Sequence, residues 1–194
     1  MMDPASELVD RHAQLAASSE DAPLASFQTS LGPCGVSWSS AGITRVLMPG
    51  TRGLRELGAR RGDDLRDAPP PVRAAIAGIV ALLAGEHRDL RWVTLDDHGI
   101  EPFRRRVYGA AREIGPGATV SYGEIARAIG EPESARAVGA ALGANPFPIV
   151  VPCHRVLAAT GALHGFSAPG GTVTKRRMLE IEGAPGFTQQ ALFA

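Results

Sequence analysis

The sequence predicts an α+β protein, in which a small sheet-and-helix half precedes a mostly helical half. Two apolar segments, residues 36–38 and 43–48, flank the turn-forming stretch 39–42, a pattern typical of a β-hairpin. After Pro69 the apolar residues recur instead at helical spacing. With 194 residues, 44% of them hydrophobic, the chain can bury the core of one large domain or of two small ones.

The first predicted domain covers residues 1–98 and is expected to be a scaffold. Residues 1–24 are rich in Ala, Ser and acidic side chains, which indicates a loosely ordered lead-in. An amphipathic helix follows Pro69, with apolar positions at Val72, Ile76, Ile79, Val80 and Leu83 and with Gly85 after them. We expect this helix to pack on the sheet.

The second predicted domain covers residues 99–194 and begins with another helical stripe. Its apolar positions are Phe103, Val107, Ala111 and Ile114. The stretch Gly115-Pro116-Gly117 then ends the helix, because glycine and proline both interrupt helical geometry.

Two further helices are predicted directly after this stripe. Ser121 stands three residues before Glu124, which is the spacing of a capping box, and the short helix that it opens stops at Gly130. Pro132 suits the first turn of a second helix that runs to about Gly143. Helix, short turn and helix form the outline of a helix-turn-helix unit.

The second of these helices has almost no side-chain bulk. Its small residues are Ala135, Ala137, Gly139, Ala140, Ala141 and Gly143, and Arg136 is the one large side chain near its start. Such a helix can enter a narrow space, and the minor groove of DNA is only about 6 Å wide. Residues 1–100 carry a net charge of −3 (10 basic, 13 acidic) and residues 101–194 one of +3 (10 basic, 7 acidic), so a DNA-binding face belongs to the second half.

The stretch Pro152-Cys153-His154-Arg155 places one of two cysteines beside a histidine. The preceding run, Ile149-Val150-Val151, predicts a buried strand that ends at Pro152, so Cys153 would leave the core on a tight turn. A thiolate is the nucleophilic form of cysteine, and a neighbouring imidazole is a common way to generate it near neutral pH.

The remaining composition argues against metals, membranes and export. Two distant cysteines suit a reducing compartment, and Cys34 with His12, His87 and His98 shows no metal-ligand spacing, so we predict neither metal nor cofactor. No apolar run approaches the roughly 18 residues of a membrane span, and the first residues lack the pattern of a signal peptide. A cytoplasmic location without membrane contact is expected.

The segment from residue 101 to 183 resembles the O6-alkylguanine-DNA alkyltransferases. The residues that carry the resemblance are Pro102-Phe103, 117–126, 135–139, Asn145-Pro146, the Pro-Cys-His-Arg stretch, 165–171, Lys175 and Glu182-Gly183. The resemblance implies a ribonuclease-H-like amino-terminal domain followed by a winged, helix-turn-helix-like domain that holds the active site. It also implies irreversible transfer of an alkyl group from O6-alkylguanine, and from O4-alkylthymine, to Cys153 by a monomer bound in the minor groove of double-stranded DNA.

The resemblance also assigns roles to the reactive residues. His154 would withdraw the thiol proton of Cys153 through a bridging water, and Glu182 would orient the imidazole and stabilise its charge. Asn145 would brace the turn that carries the cysteine, and Tyr122 would donate a proton or hydrogen bond at N3 of the departing guanine.

Binding residues follow from the same resemblance. The substrate site would comprise Tyr122, Pro148, Val156, Ser167 and Lys175, and Arg155 would brace it. The DNA contacts would come from Ala135, Arg136, Ala137 and Gly139, with Arg136 filling the stack from which the target guanine is extruded. The sequence departs from the family pattern in the segment 165–171, here called the lid, where Ala168-Pro169 add two residues to the form that is common in the family.

Two other functional classes remain open from the sequence. Alkyltransferase-like proteins bind alkylguanine without repairing it, but they carry another residue, typically tryptophan, where this chain has Cys153. A Cys-His hydrolase would use a similar pair but must regenerate its thiol. Counting turnovers separates the three, because the sensor makes none, the alkyltransferase one and the hydrolase many.

Overall fold

The amino-terminal part of the protein is built on an antiparallel sheet of three strands. The computed structural model describes residues 23–54, 66–163 and 165–187, so nearly all of the lead-in predicted over 1–24 lies outside the described residues. The strands are β1 (Leu24–Thr29), β2 (Gly32–Ser39) and β3 (Gly42–Leu47), in the order β1-β2-β3. The predicted hairpin is confirmed as β2 and β3, and β1 adds a third strand.

One face of this sheet packs on helix α1 (Pro70–Leu83). Alternate residues of β2, namely Cys34, Val36 and Trp38, are buried, as the period of a strand with one covered face requires. Helix α1 buries Val72, Ala75, Ile76, Ile79, Leu82 and Leu83. The predicted amphipathic helix is therefore confirmed.

The second half contains four helices and a pair of very short strands among its described residues. The helices are α2 (Pro102–Arg112), α3 (Tyr122–Ala128), α4 (Ala135–Gly143), which a single 3₁₀ turn (Pro132–Ser134) precedes, and α5 (Gly171–Ile181). Strand β4 (Val120–Ser121) pairs in parallel with β5 (Val156–Leu157). The capping box is confirmed, since Ser121 Oγ accepts from the Glu124 backbone N–H and the Glu124 carboxylate accepts from the Ser121 backbone N–H.

The predicted strand over residues 149–151 is wrong, because the segment forms a turn. Pro148 and Val151 make only an isolated bridge, and Ile149 adopts a φ of 77°, which a β-branched residue rarely does. Neighbouring prolines remove backbone donors that a strand would need, and the Val151 N–H instead bonds to the Phe147 carbonyl at 2.8 Å. The apolar residues are buried as expected, but in a turn.

The two halves share one continuous hydrophobic core. It includes Val36 of the sheet, Ile79 of α1, Val107 of α2 and Cys153. A backbone hydrogen bond of 2.9 Å from the Val46 N–H to the Pro146 carbonyl also joins β3 to the loop that leads into the cysteine turn. None of the helices in the described ranges is long and apolar enough to cross a membrane.

Candidate active site

Cys153 begins a 3₁₀ turn, Cys153–Arg155, and is held there by the side chain of Asn145. The Asn145 amide nitrogen lies 3.4 Å from Cys153 Sγ and donates to the Val151 carbonyl at 2.9 Å, while its oxygen accepts from the Phe147 N–H at 2.9 Å. Burial raises the pKa of the Cys153 thiol, and the Asn145 hydrogen bond and the charge of Lys175 oppose that rise only in part. The resting side chain at neutral pH is therefore a thiol.

His154 is fully buried and bonded to Glu182. Its Nε2 lies 2.9 Å from Glu182 Oε1. Because an ionised carboxylate can only accept, Nε2 must carry the hydrogen, which leaves the lone pair on Nδ1. Nδ1 has no hydrogen-bond partner among the described residues, and burial lowers the pKa of His154, so the imidazole is neutral at pH 7 and able to accept a proton.

Glu182 is buried among three donors. Arg155 donates to both of its oxygens, from Nε at 2.8 Å and from Nη2 at 2.7 Å, and the Gly117 N–H donates at 3.2 Å. Burial alone would raise the pKa of Glu182, but the hydrogen bonds from His154 and Arg155 outweigh it and lower the pKa to about 2. Glu182 therefore remains ionised and can stabilise a protonated His154.

The sequence did not indicate how closely Gly117 approaches this cluster. It was predicted only to help end a helix, yet it has a φ of 77°, and a Cβ placed on it would lie 2.9 Å from the Glu182 carbonyl oxygen. Only glycine fits both conditions. Arg155 also bonds the Ile114 carbonyl at 2.5 Å, so it connects Glu182 to the residues after α2. The Gly-Pro-Gly stretch was the available signal for this close approach.

Lys175 lies between a backbone oxygen and an aromatic ring. Its ammonium donates to the Val156 carbonyl at 2.6 Å and lies 5.8 Å from the centre of the Tyr122 ring. Burial lowers the pKa of Lys175 and raises the pKa of Tyr122. A cation held here favours the thiolate of Cys153 over the thiol.

A cavity of about 700 Å³ opens beside Cys153. Residues of α4, of the cysteine turn and of the lid form its wall together with one residue of α3 and one that follows β5: Tyr122, Ala135, Arg136, Gly139, Leu142, Gly143, Cys153, Ala158, Gly165, Phe166 and Ser167. The exposed Arg136 and the buried Cys153 thus line one cavity, which joins the helix predicted to bind DNA to the predicted nucleophile.

The structure brings together most, but not all, of the predicted binding residues. Tyr122, Ala135, Arg136, Gly139 and Ser167 line the cavity. The wall does not include Ala137, which is exposed on α4, nor Pro148, Val156 and Lys175. Sequence reasoning gave no role to Leu142, Ala158 and Phe166, which contribute apolar surface to the wall.

The two extra lid residues are anchored at their carboxyl side. Thr174 Oγ1 donates to the Pro169 carbonyl at 2.7 Å, and the Gly171 N–H donates to the Ala168 carbonyl at 3.0 Å. Pro169 also lies against Gly50, since a Cβ placed on Gly50 would come within 3.3 Å of the Pro169 Cβ. The lid therefore contacts the loop that follows β3.

Among the described residues, Cys34, His87 and His98 build no comparable site. Cys34 is buried in β2, and burial raises the pKa of its thiol. Within residues 23–54, 66–163 and 165–187, no group of three or more His, Cys, Asp or Glu side chains has the arrangement of a metal site. His12 lies outside the described residues.

Fold and site together define a class of protein in which a helix of small residues and a buried cysteine, followed in sequence by a histidine bonded to a carboxylate, line one cavity. Residues 102–184 match the family model described as the DNA-binding domain of 6-O-methylguanine DNA methyltransferase. The methylated-DNA–protein-cysteine methyltransferase of Mycobacterium bovis is 44% identical over 125 residues, covering 64% of this chain and 73% of that protein. The protein of the same name from Methanothermobacter thermautotrophicus is 35% identical over 152 residues, covering 77% and 78%.

Solved structures agree with these sequence matches. The crystal structure of Mycobacterium tuberculosis OGT in complex with DNA superposes with a TM-score of 0.66 at 35% identity, covering 84% of this chain and 96% of that one. The chain belongs to the methylated-DNA–protein-cysteine methyltransferase family. The resemblance drawn from the sequence is thereby confirmed.

Proposed function

We propose that this protein repairs DNA by direct reversal, moving the alkyl group of O6-alkylguanine irreversibly onto Cys153. The observation that carries the proposal is the shared cavity, whose wall includes both Cys153 and Arg136 of the predicted DNA helix. A base extruded from a duplex beside α4 would enter the space that contains the nucleophile. Chemistry at O6 needs such extrusion because stacking and pairing hide that atom.

The first step is removal of the thiol proton. The proton passes from Cys153 to Nδ1 of His154 through a bridging water, while Nε2–H stays bonded to Glu182. The ionised Glu182 stabilises the resulting imidazolium, and the charge of Lys175 favours the thiolate. A thiol protonated at rest is a weak nucleophile, so burial limits alkylation of Cys153 by other reagents.

The second step is displacement at the alkyl carbon. A sulfur–carbon bond forms as the carbon–O6 bond breaks, and the bonding electrons remain on guanine as an anion that requires a proton. Tyr122, whose phenol is protonated because burial raises its pKa, supplies a proton or hydrogen bond at N3. Backbone groups of Cys153 and Ser167, which line the cavity, bind the guanine edge, and O4-alkylthymine offers the same alkyl–oxygen bond.

The proposed partner is alkylated double-stranded DNA, bound through α4. The exposed residues of α4 are Arg136, Ala137, Ala140 and Gly143, so small residues surround one cation. That surface fits the narrow minor groove, with Arg136 filling the space left by the extruded base. The protein named OGT that superposes on this chain has been crystallised with DNA, which supports the proposal.

Several finer features belong to this proposal. The amino-terminal domain, residues 1–98, is ribonuclease-H-like, and residues 99–194 form a winged helix-turn-helix-like domain. The protein acts as a monomer in the cytoplasm. It uses neither metal nor cofactor, because Cys153, His154 and Tyr122 supply the nucleophile, the base and the proton donor.

Mass spectrometry tests the proposal. After incubation with a duplex that contains O6-methylguanine, intact mass should rise by one methyl in place of one hydrogen, and peptide mapping should place that methyl on Cys153. Cys34→Ser should react normally, whereas Cys153→Ser should not react. Transfer to Cys34, or several repaired bases for each protein molecule, would refute single-turnover transfer to Cys153, and no repair at all would indicate a lesion sensor.

A further inference from the structure

Two side chains of α2, Arg104 and Tyr108, form a hydrogen-bonded pair against the end of α4. The Tyr108 hydroxyl donates to the Ala141 carbonyl at 3.0 Å and accepts from Nε and Nη2 of Arg104 at 3.1 and 2.8 Å. Nη2 of Arg104 also donates to the Ala144 carbonyl. Both carbonyls lie at the carboxyl end of α4, which carries partial negative charge, and the Ala141 carbonyl accepts only a 3.2 Å backbone bond from the Ala144 N–H, so a cation and a hydroxyl are well suited partners.

The same tyrosine also contacts the cysteine turn. Its ring meets the Phe147 ring edge to face, with centroids 6.4 Å apart and an interplanar angle of 89°. The Phe147 backbone accepts from the Val151 N–H and donates to Asn145, whose amide lies 3.4 Å from Cys153 Sγ. A continuous chain of contacts therefore runs from Arg104 and Tyr108 to the sulfur.

Neither Arg104 nor Tyr108 lines the cavity, so neither can touch a bound base there. Tyr108 is buried, and burial raises the pKa of its phenol, so it remains a hydrogen-bond donor at neutral pH. The pair thus contacts the end of the proposed DNA helix and the loop that leads into the cysteine turn, without lining the cavity itself.

We propose that Arg104 and Tyr108 are positioning residues that hold the last turn of α4 and the cysteine turn in one fixed arrangement. The inference rests on the proposed function. A base extruded at Arg136, near the start of α4, has to arrive in line with the sulfur, and Leu142 and Gly143 of the last turn form part of the wall that it meets. Misplacement of reacting atoms by about 1 Å can cost on the order of a hundred-fold in rate.

The test is Tyr108→Phe, which removes the hydroxyl but keeps the ring against Phe147. We expect the single-turnover rate at saturating O6-methylguanine duplex to fall by roughly ten-fold, while the Kd for unmodified duplex changes by less than about two-fold. The pH–rate profile should shift to higher pH, because a displaced Asn145 no longer favours the thiolate. Arg104→Ala should act in the same direction, and Arg104→Lys should restore part of the rate.

Arg105→Ala is the matched control. Arg105 is the next residue on α2, and its exposed side chain pairs with Asp97 at 3.0 Å instead of with α4. The Arg105→Ala variant should have the same single-turnover rate at saturating duplex and the same pH–rate profile as the wild-type protein.

A lower Tm for Tyr108→Phe and Arg104→Ala with an unchanged saturating rate would reduce the pair to a structural role and overturn the inference. A weaker Kd with an unchanged saturating rate would do the same, because it would assign the pair to DNA binding. If Tyr108→Phe failed to fold, Arg104→Ala and Arg104→Lys, whose changes lie at a half-buried side chain, would decide by the same two measurements. Failure of the proposed function is distinguishable, since the wild-type protein itself would then not accept a methyl group.

Discussion

Replacing Glu182 by Gln tests whether its negative charge activates the nucleophile. Glutamine keeps the shape and can still accept the hydrogen bond that His154 Nε2 donates at 2.9 Å, but it cannot stabilise the imidazolium electrostatically. A buried hydrogen bond to a charged group contributes about 1 to 2 kcal/mol more than one between neutral groups. The transfer rate at neutral pH should therefore fall roughly five- to thirty-fold.

The pH dependence provides the sharper readout. Burial raises the pKa of Cys153 above the ordinary thiol value, so in the proposed mechanism His154 has to remove the proton at neutral pH. As pH rises through the pKa of the thiol, the thiolate forms without the imidazole, and the variant should recover part of its loss. Single-turnover rates between about pH 6 and pH 10 would measure this recovery.

Two controls separate chemistry from folding. Glu180→Gln makes the same change two residues earlier, at a side chain that pairs only distantly with Arg177, at 3.6 Å, and should leave the rate unchanged. Arg155→Lys weakens the paired hydrogen bonds that Arg155 donates to Glu182 but keeps the hydrogen bond between Glu182 and His154. It should therefore lower the Tm clearly while changing the transfer rate little. A neutral-pH rate for Glu182→Gln equal to that of the wild-type protein would remove Glu182 from the mechanism.

Two more predictions concern the cavity wall. Arg136→Ala should slow repair of duplex DNA by about ten-fold for each 1.4 kcal/mol of lost support for the extruded base, yet barely change the reaction with free O6-benzylguanine, which needs no extrusion. Arg127→Ala, which removes an exposed cation from α3 outside the cavity wall, is the control, and equal losses on both substrates would assign Arg136 to the fold. Deleting Ala168-Pro169 should lower the transfer rate on benzyl substrates relative to methyl substrates, because the deletion shortens the lid and removes its contacts with Gly50 and Thr174. An unchanged ratio of the two rates would show that the lid does not select the alkyl group.

Local patterns in the sequence determined most of the helices and the identity of the reactive residues. The capping box at Ser121 and Glu124 fixes the start of α3 because both of its hydrogen bonds lie within four residues. The small residues of α4 and the pairing of Cys153 with His154 are likewise visible in consecutive positions. Such features need no knowledge of distant contacts, so they could be predicted with the correct bounds to within a few residues.

Tertiary structure alone decided how the active site is assembled. Residues 149–151 have the composition of a strand, but the hydrogen bonds of Asn145 and the nearby prolines make them a turn. The protonation states of His154 and Glu182 depend on burial and on Arg155 and Gly117, the latter 65 residues away from Glu182 in sequence. Sequence spacing carries no information on such contacts, because desolvation and hydrogen bonding across the fold arise only once the chain has packed.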